Sequence, residues 1–278
     1  MNTKLIIIEG IPGSGKTTTA TYIKHHLEES GSHVKLYQEG NPGHPADYEF
    51  TSCLNHTQFR ELLTKYPKEQ DLIMKYTKEK EDWYFIQYHE LGKEDGGNSL
   101  IADDLASYDV YELNLETYEK VSYNYWEEFI NDTNFGNTVY IFECCFLQNP
   151  FTKFIAKHNA GVPRLEHHLS KIGSLINPLN PLLVYLYQDD IRKSFKQVFE
   201  ERDPGWRDFF TDYHMKNGYG KDKLLTGFNG LVEYLEMRRD EELRLIDSMD
   251  MRKLLIKNDE KDWEEYNGLI NRELSHLE

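Results

Sequence analysis

Residues 10–17 read Gly-Ile-Pro-Gly-Ser-Gly-Lys-Thr. They stand between an apolar run, Leu5-Ile6-Ile7-Ile8, and a helical pattern that continues to about Gly31. The spacing G-x-x-x-x-G-K-T between a strand and a helix is the phosphate-loop pattern. It constrains the fold strongly, because it commits the chain to a buried strand, a glycine turn and a helix that starts at the turn. The glycines let the backbone curl until successive N–H groups face one anion, and the helix amino terminus adds partial positive charge. Gly10, Pro12, Gly13, Ser14, Gly15, Lys16, Thr17 and Thr18 are the candidate phosphate-binding residues. Lys16 is expected to reach the β- and γ-phosphates, and the Thr17 hydroxyl to coordinate Mg²⁺.

Further apolar runs repeat the strand signal: Val34–Tyr37, Thr138–Phe142, Leu182–Tyr187 and Lys253–Ile256. Helical patterns lie between them. This alternation predicts an α/β fold with a five-stranded parallel sheet covered on both faces. Ligands in such sheets bind beyond the carboxyl ends of the strands, which directs attention to Glu39, Glu143, Asp189 and Asn258. Two connections, 46–137 and 203–250, far exceed ordinary crossover lengths. Both are rich in aromatic and charged residues and are expected to be helical insertions into one domain spanning 1–278. Gly92–Asn98 reads as an exposed loop, and a last helix is expected from Asp262 with Tyr266, Ile270 and Leu274 on its buried side.

The formal charge of −16 over 278 residues excludes a general basic surface for nucleic acid and disfavours an anionic membrane. A local cationic pocket for an anionic substrate remains compatible with it. Leu5–Ile8 is too short for a signal peptide or a membrane span, and Glu9 ends it. The three cysteines, Cys53, Cys144 and Cys145, are odd in number and lack metal-type spacing. They read as small buried residues in a reducing compartment, so a cytoplasmic protein is the expectation.

The carboxylates and cations around the loop carry a family resemblance. Gln38-Glu39-Gly40-Asn41-Pro42 follows the second strand, Phe142-Glu143 ends the third, and a basic segment, Asp190 to Arg202, follows the fourth. This set resembles the P-loop kinases of nucleosides and nucleotides, the thymidylate-kinase-like and deoxynucleoside-kinase-like proteins. The resemblance implies a P-loop NTPase fold with a lid, ATP or another nucleoside triphosphate as donor, Mg²⁺ as cofactor, and a small-molecule acceptor as the other partner. It implies a general base or substrate contact at Glu39. It places Glu143 at the acidic position that serves the metal, or alternatively the acceptor hydroxyl. The family's arginine after that acid is absent, since Cys144-Cys145 stands there.

In the basic segment, Ile191, Phe195, Val198 and Arg202 fall on one helical stripe. Arg202 and Arg192 are therefore candidate phosphate clamps, with Lys196 beside them. The run Trp83-Tyr84-Phe85-Ile86-Gln87 is similar to a helical segment that reads the base in deoxynucleoside kinases, so Trp83 and Gln87 are candidate acceptor contacts. His44 and Asp47 are further candidates, and Gln148 and Asn149 follow Glu143 closely enough to line the same pocket. The cluster Glu236 to Glu242 reads as a solvated, ion-paired helix, from which Arg238 or Arg239 has the reach to enter the cleft. The functions compatible with this pattern are phosphoryl transfer to a small molecule and, as the alternative, nucleotide hydrolysis that regulates a protein partner. A homodimer is left open by the sequence.

Overall fold

The computed structural model describes residues 2–41, 43–96, 100–133, 135–260 and 262–276. Along the chain, β1 (Leu5–Gly10) leads into α1 (Lys16–Glu29) and β2 (His33–Tyr37). Then come β3 (Thr51–Asn55), α2 (His56–Lys65), α3 (Gln70–Lys75), β4 (Thr77–Lys80), β5 (Trp83–Gln87), α4 (Tyr88–Glu94), α5 (Leu100–Ala106) and α6 (Leu115–Asp132). After β6 (Thr138–Glu143) follow α7 (Gln148–Phe151), α8 (Val162–Ile176), β7 (Leu182–Tyr187) and α9 (Ile191–Glu201). The chain finishes with α10 (Pro204–Met215), α11 (Gly218–Asp222), α12 (Gly227–Ser248), β8 (Arg252–Lys257) and α13 (Trp263–Ser275). The chain divides into two compact units, residues 1–39 with 126–278, and residues 40–125.

The larger unit is built on a parallel sheet of order β2-β6-β1-β7-β8. β1 lies at its centre, paired with β6 from Leu5↔Tyr140 to Ile8↔Glu143 and with β7 from Ile6↔Leu182 to Gly10↔Leu186. Every residue of β1 is buried, as expected for a strand covered on both faces. On one face, Ile6, Ile8, Val139, Ile141 and Val184 pack with Ala20 and Ile23 of α1 and with Tyr266, Ile270 and Leu274 of α13. On the other, Phe142 of β6 meets Trp126 and Phe129 of α6 at ring separations of 5.8 and 4.8 Å. The sequence-based strands match these five to within two residues at each end. The last helix begins after Asp262, whose side chain accepts from the Glu265 N–H at 3.1 Å and so caps it.

The smaller unit corrects one expectation. Residues 46–137 do contain helices, α2 to α6, but they also contain a three-stranded antiparallel sheet of order β3-β5-β4. The run 83–87, likened to a helix, is β5. A five-residue aromatic and β-branched stretch fits either period, and here it forms the middle strand, paired with β3 on one edge and β4 on the other. Ile86 and Tyr84 pack with Leu54, Phe59 and Ile73, while Phe85 on the opposite face meets Tyr48 and Tyr125. The expected loop at 92–98 is also shorter. Gly92 to Glu94 complete α4, with Gly92 buried, and Gly97 and Asn98 lie outside the described residues. Residues 203–250 are helical, comprising α10, α11 and α12.

The packing of α13 against the sheet gives a direct test. Ile270 is 1% exposed and Leu255, on the edge strand β8, is 44% exposed. Ile270→Ala is expected to lower the unfolding free energy by about 2–5 kcal/mol, whereas an exposed site such as Leu255→Ala should stay within about 1 kcal/mol. Urea unfolding of the two variants checks this, and equal losses would show that α13 does not seal that face.

Candidate active site

The loop between β1 and α1 is held by four other parts of the chain. Gly10, Gly13 and Gly15 have φ values of +146°, +82° and +97°, which side chains rarely adopt. A Cβ would also collide at each: with the Leu186 carbonyl oxygen at Gly10, with Val198 of α9 at Gly13, and with Trp263 of α13 at Gly15. Asn258, just past β8, donates through Nδ2 to the Ser14 carbonyl at 2.5 Å. The loop is therefore clasped by elements distant from it in sequence. Lys16 is 7% exposed, and its Nζ donates to the Gly10 and Ile11 carbonyls at 3.1 and 3.2 Å. Burial pulls its pKa down and the Arg238 charge adds to that, but the Cys144, Glu39 and Glu143 groups outweigh both, so the net shift is upward and the ammonium stays charged.

The two sequence-predicted carboxylates meet beside this loop. The Thr17 hydroxyl donates to Glu143 Oε1 at 2.6 Å. Glu143 is 2% exposed, and its Oε2 is buried with no hydrogen-bond partner. Burial raises its pKa, with Glu39 adding to the rise and the Thr17 bond and Lys16 opposing it. Glu39 is exposed, and both of its oxygens are held. Gln148 Nε2 donates to Oε1 at 2.7 Å, and the Cys144 thiol donates to Oε2 at 3.3 Å. An unpartnered oxygen on a buried acid, next to a threonine hydroxyl at a phosphate loop, suits a hard divalent cation, so Thr17 and Glu143 fit the expected Mg²⁺. Cys53, Cys144 and Cys145 are all buried, as read from the sequence, yet Cys144 takes a place in the polar corner.

Glu9 was not anticipated as part of this arrangement. Its carboxylate accepts three backbone N–H groups, from Phe146 at 2.7 Å, Leu147 at 2.8 Å and Gln148 at 3.1 Å. Cys144 enters this turn with φ of +70°, a strained value for a side-chain residue. Glu9 thus pins the turn after β6, and the turn delivers Gln148 to Glu39. Beside Glu9 in the sheet stands Tyr185, whose hydroxyl donates to Glu242 of α12 at 2.7 Å. Glu242 pairs with Arg238 at 2.8 Å, and both are at most 2% exposed. The helix read as solvated therefore carries a buried ion pair. Helical spacing from Leu231, Leu235 and Leu245 places 238 and 242 on its inner stripe, and that was the available signal.

Arg202 is not on the inner stripe of α9: the helix ends at Glu201, and Arg202, in extended conformation, is exposed over the Trp206 ring at 5.2 Å. Arg192 is exposed on α9 and donates to Asn229 Oδ1 at 3.0 Å, and Lys196 pairs loosely with Glu200 at 3.8 Å. The α9 contact with the phosphate loop comes from Val198. Arg239 donates to the Gln188 and Asp189 carbonyls at the end of β7. In the smaller unit, Trp83 and Gln87 are the first and last residues of β5 and share one face of it. His44 is buried there, and its Nδ1 accepts from the Ala46 N–H at 3.0 Å. Burial lowers its pKa to about 3, so it is neutral near pH 7. Asp47 accepts from the Tyr111 hydroxyl at 2.6 Å in the same unit.

The strand order and the clasped glycine loop define a P-loop NTPase fold. No protein-family model matches the chain, and no curated protein does. Among solved structures, one it resembles is thymidylate kinase from Candida albicans, at 13% identity over 99% of this chain and 90% of that one, with a TM-score of 0.40. Among the described residues, no helix is long and apolar enough to cross a membrane.

Burial raises the Glu9 pKa from 4.5 to about 7, against the pull of its three N–H donors. A folded-state pKa above the unfolded one means that folding favours the protonated carboxyl. Its contribution is full below about pH 4.5 and is lost as pH rises through 7. The unfolding free energy of the parent relative to Glu9→Gln is expected to fall by about 3 kcal/mol across that window. Urea unfolding of both proteins at several pH values measures this. A pH-independent difference would contradict the assignment.

Proposed function

We propose that the chain is a phosphotransferase that moves the γ-phosphoryl group of ATP, or of another nucleoside triphosphate, to a hydroxyl group of a small molecule. The observation that carries this reading is the corner at the loop mouth, where Thr17 is bonded to buried Glu143 and a second carboxylate, Glu39, stands beside it on the open side. A loop alone supports nucleotide binding. A second, exposed carboxylate at the same place supports an acceptor that must lose a proton.

In this mechanism the loop N–H groups and the α1 terminus cradle the phosphates, and the Lys16 ammonium offsets charge on the transferring group. Mg²⁺, held by Thr17 and Glu143 when bound, supplies further neutralisation. Glu39 accepts the proton of the acceptor hydroxyl as the new oxygen–phosphorus bond forms and the bond to the β-phosphate breaks. Gln148 and Cys144 fix the Glu39 carboxylate in place.

A hydroxyl acceptor is favoured over a phosphate. A phosphate monoester is already largely dianionic at pH 7, so it gains nothing from a base. Beside a carboxylate at about 4 Å, each of its charges would meet repulsion on the order of 4 kcal/mol at an effective dielectric constant of 20. Nucleosides and hydroxyl-bearing specialised metabolites are the acceptor classes that fit.

ATP turnover in the presence of a panel of nucleosides, amino sugars and other alcohols, each beside its phosphorylated counterpart, tests the proposal. ADP release that depends on an unphosphorylated alcohol is expected. Hydrolysis indifferent to every acceptor would contradict it and would favour a regulatory NTPase. Lys16→Ala should abolish the transfer while the melting temperature stays close to that of the parent. Glu39→Gln should lower kcat by about 10²–10⁴ with little change in ATP affinity. A near-parental kcat in Glu39→Gln would assign that carboxylate a binding or solvated role only.

A further inference from the structure

The position after Glu143, where the resembling kinases carry an arginine, holds Cys144, and its side chain turns into the carboxylate corner. One ligand atom each from Glu39, Glu143 and Cys144 lies within 4.8 Å of the others. We propose that these three residues form a binding site for a thiophilic divalent cation of the zinc and cobalt class. The site shares Glu143 with the proposed Mg²⁺ corner but does not depend on the phosphotransferase reading.

Three observations support it. Cys144 Sγ and Glu39 Oε2 are 3.3 Å apart. Metal–sulfur and metal–oxygen bonds of about 2.3 and 2.1 Å would then subtend about 97° at a shared ion, between octahedral and tetrahedral angles. Glu143 is 2% exposed and keeps one buried oxygen, Oε2, with no hydrogen-bond partner, so its carboxylate retains unused capacity for a third ligand. Glu39 is exposed, so the ion has a way in from solvent.

The charges and ligand types agree with that choice. Two carboxylates and a thiol stand together at the corner, facing the Lys16 ammonium. Mg²⁺ prefers oxygen ligands throughout, whereas a thiolate beside carboxylates selects softer ions. In the metal-free protein the thiol proton bridges Sγ to Glu39. Entry of the ion replaces it: the sulfur–hydrogen bond breaks, a sulfur–metal bond forms, and the proton leaves to solvent. Because the ion engages the Glu39 carboxylate, it also withdraws that group from proton transfer. The corner thus has two states, one with Glu39 available to an acceptor and one with it bound to metal.

Co²⁺ titration of the nucleotide-free protein tests the proposal without any reference to catalysis. A thiolate-to-cobalt charge-transfer band in the near ultraviolet is expected in the parent protein and in Cys53→Ser and Cys145→Ser, and it should persist in excess Mg²⁺. Cys144→Ser should lose the band. Glu39→Gln, an exposed position whose change should leave the fold intact, should weaken Co²⁺ binding at least about tenfold. The proposal is overturned if the parent shows no band, if the band survives in Cys144→Ser, or if Glu39→Gln binds as the parent does. Should Cys144→Ser melt early, the Glu39→Gln titration decides alone.

Discussion

The 2.6 Å hydrogen bond from Thr17 to Glu143 ties the start of α1 to the end of β6. It joins the phosphate loop to the carboxylate corner, and the chemistry proposed for this chain needs both at one place. Neither residue holds that position alone. Thr17 is fixed because the loop is clasped by Leu186, Val198, Trp263 and Asn258, which come from β7, α9, α13 and the end of β8. Glu143 is fixed because β6 runs beside β1 in strict parallel register, Ile8 facing Glu143.

A second layer of buried polar groups stands behind that bond. Glu9 holds three N–H groups of the turn after β6, and the turn carries Cys144 and Gln148 to Glu39. An isolated buried carboxylate would be strongly unfavourable, so its donors are part of the explanation for its presence. Tyr185, Glu242 and Arg238 extend the same buried polar region into α12.

Much of this framework was legible in the sequence. The phosphate loop, the five parallel strands and the start of α13 rest on local signals: glycine spacing, short apolar runs and an aspartate cap. Glu39 and Glu143 were legible as acids following strands. What was missed depends on partners distant in sequence. Glu9 looked like the polar end of a strand, because its donors lie 137 to 139 residues away. Arg238 and Glu242 looked solvated within a charged run, since composition hid their position on the inner stripe. Trp83 to Gln87 matched a helical precedent over five residues, too few to separate the periods, and its pairing with β3 on one edge and β4 on the other made it a strand. Arg202 continued the α9 stripe only on the assumption that the helix lasted one residue longer than it does.

The most direct measurement is titration calorimetry of ATP and GTP with and without Mg²⁺, on the parent and on Thr17→Ala. Binding that strengthens with Mg²⁺ in the parent and loses that dependence in Thr17→Ala is the expected result. Absence of heat from either nucleotide, or Mg²⁺ dependence that survives in Thr17→Ala, would contradict a triphosphate and metal site at the junction of β1, α1 and β6.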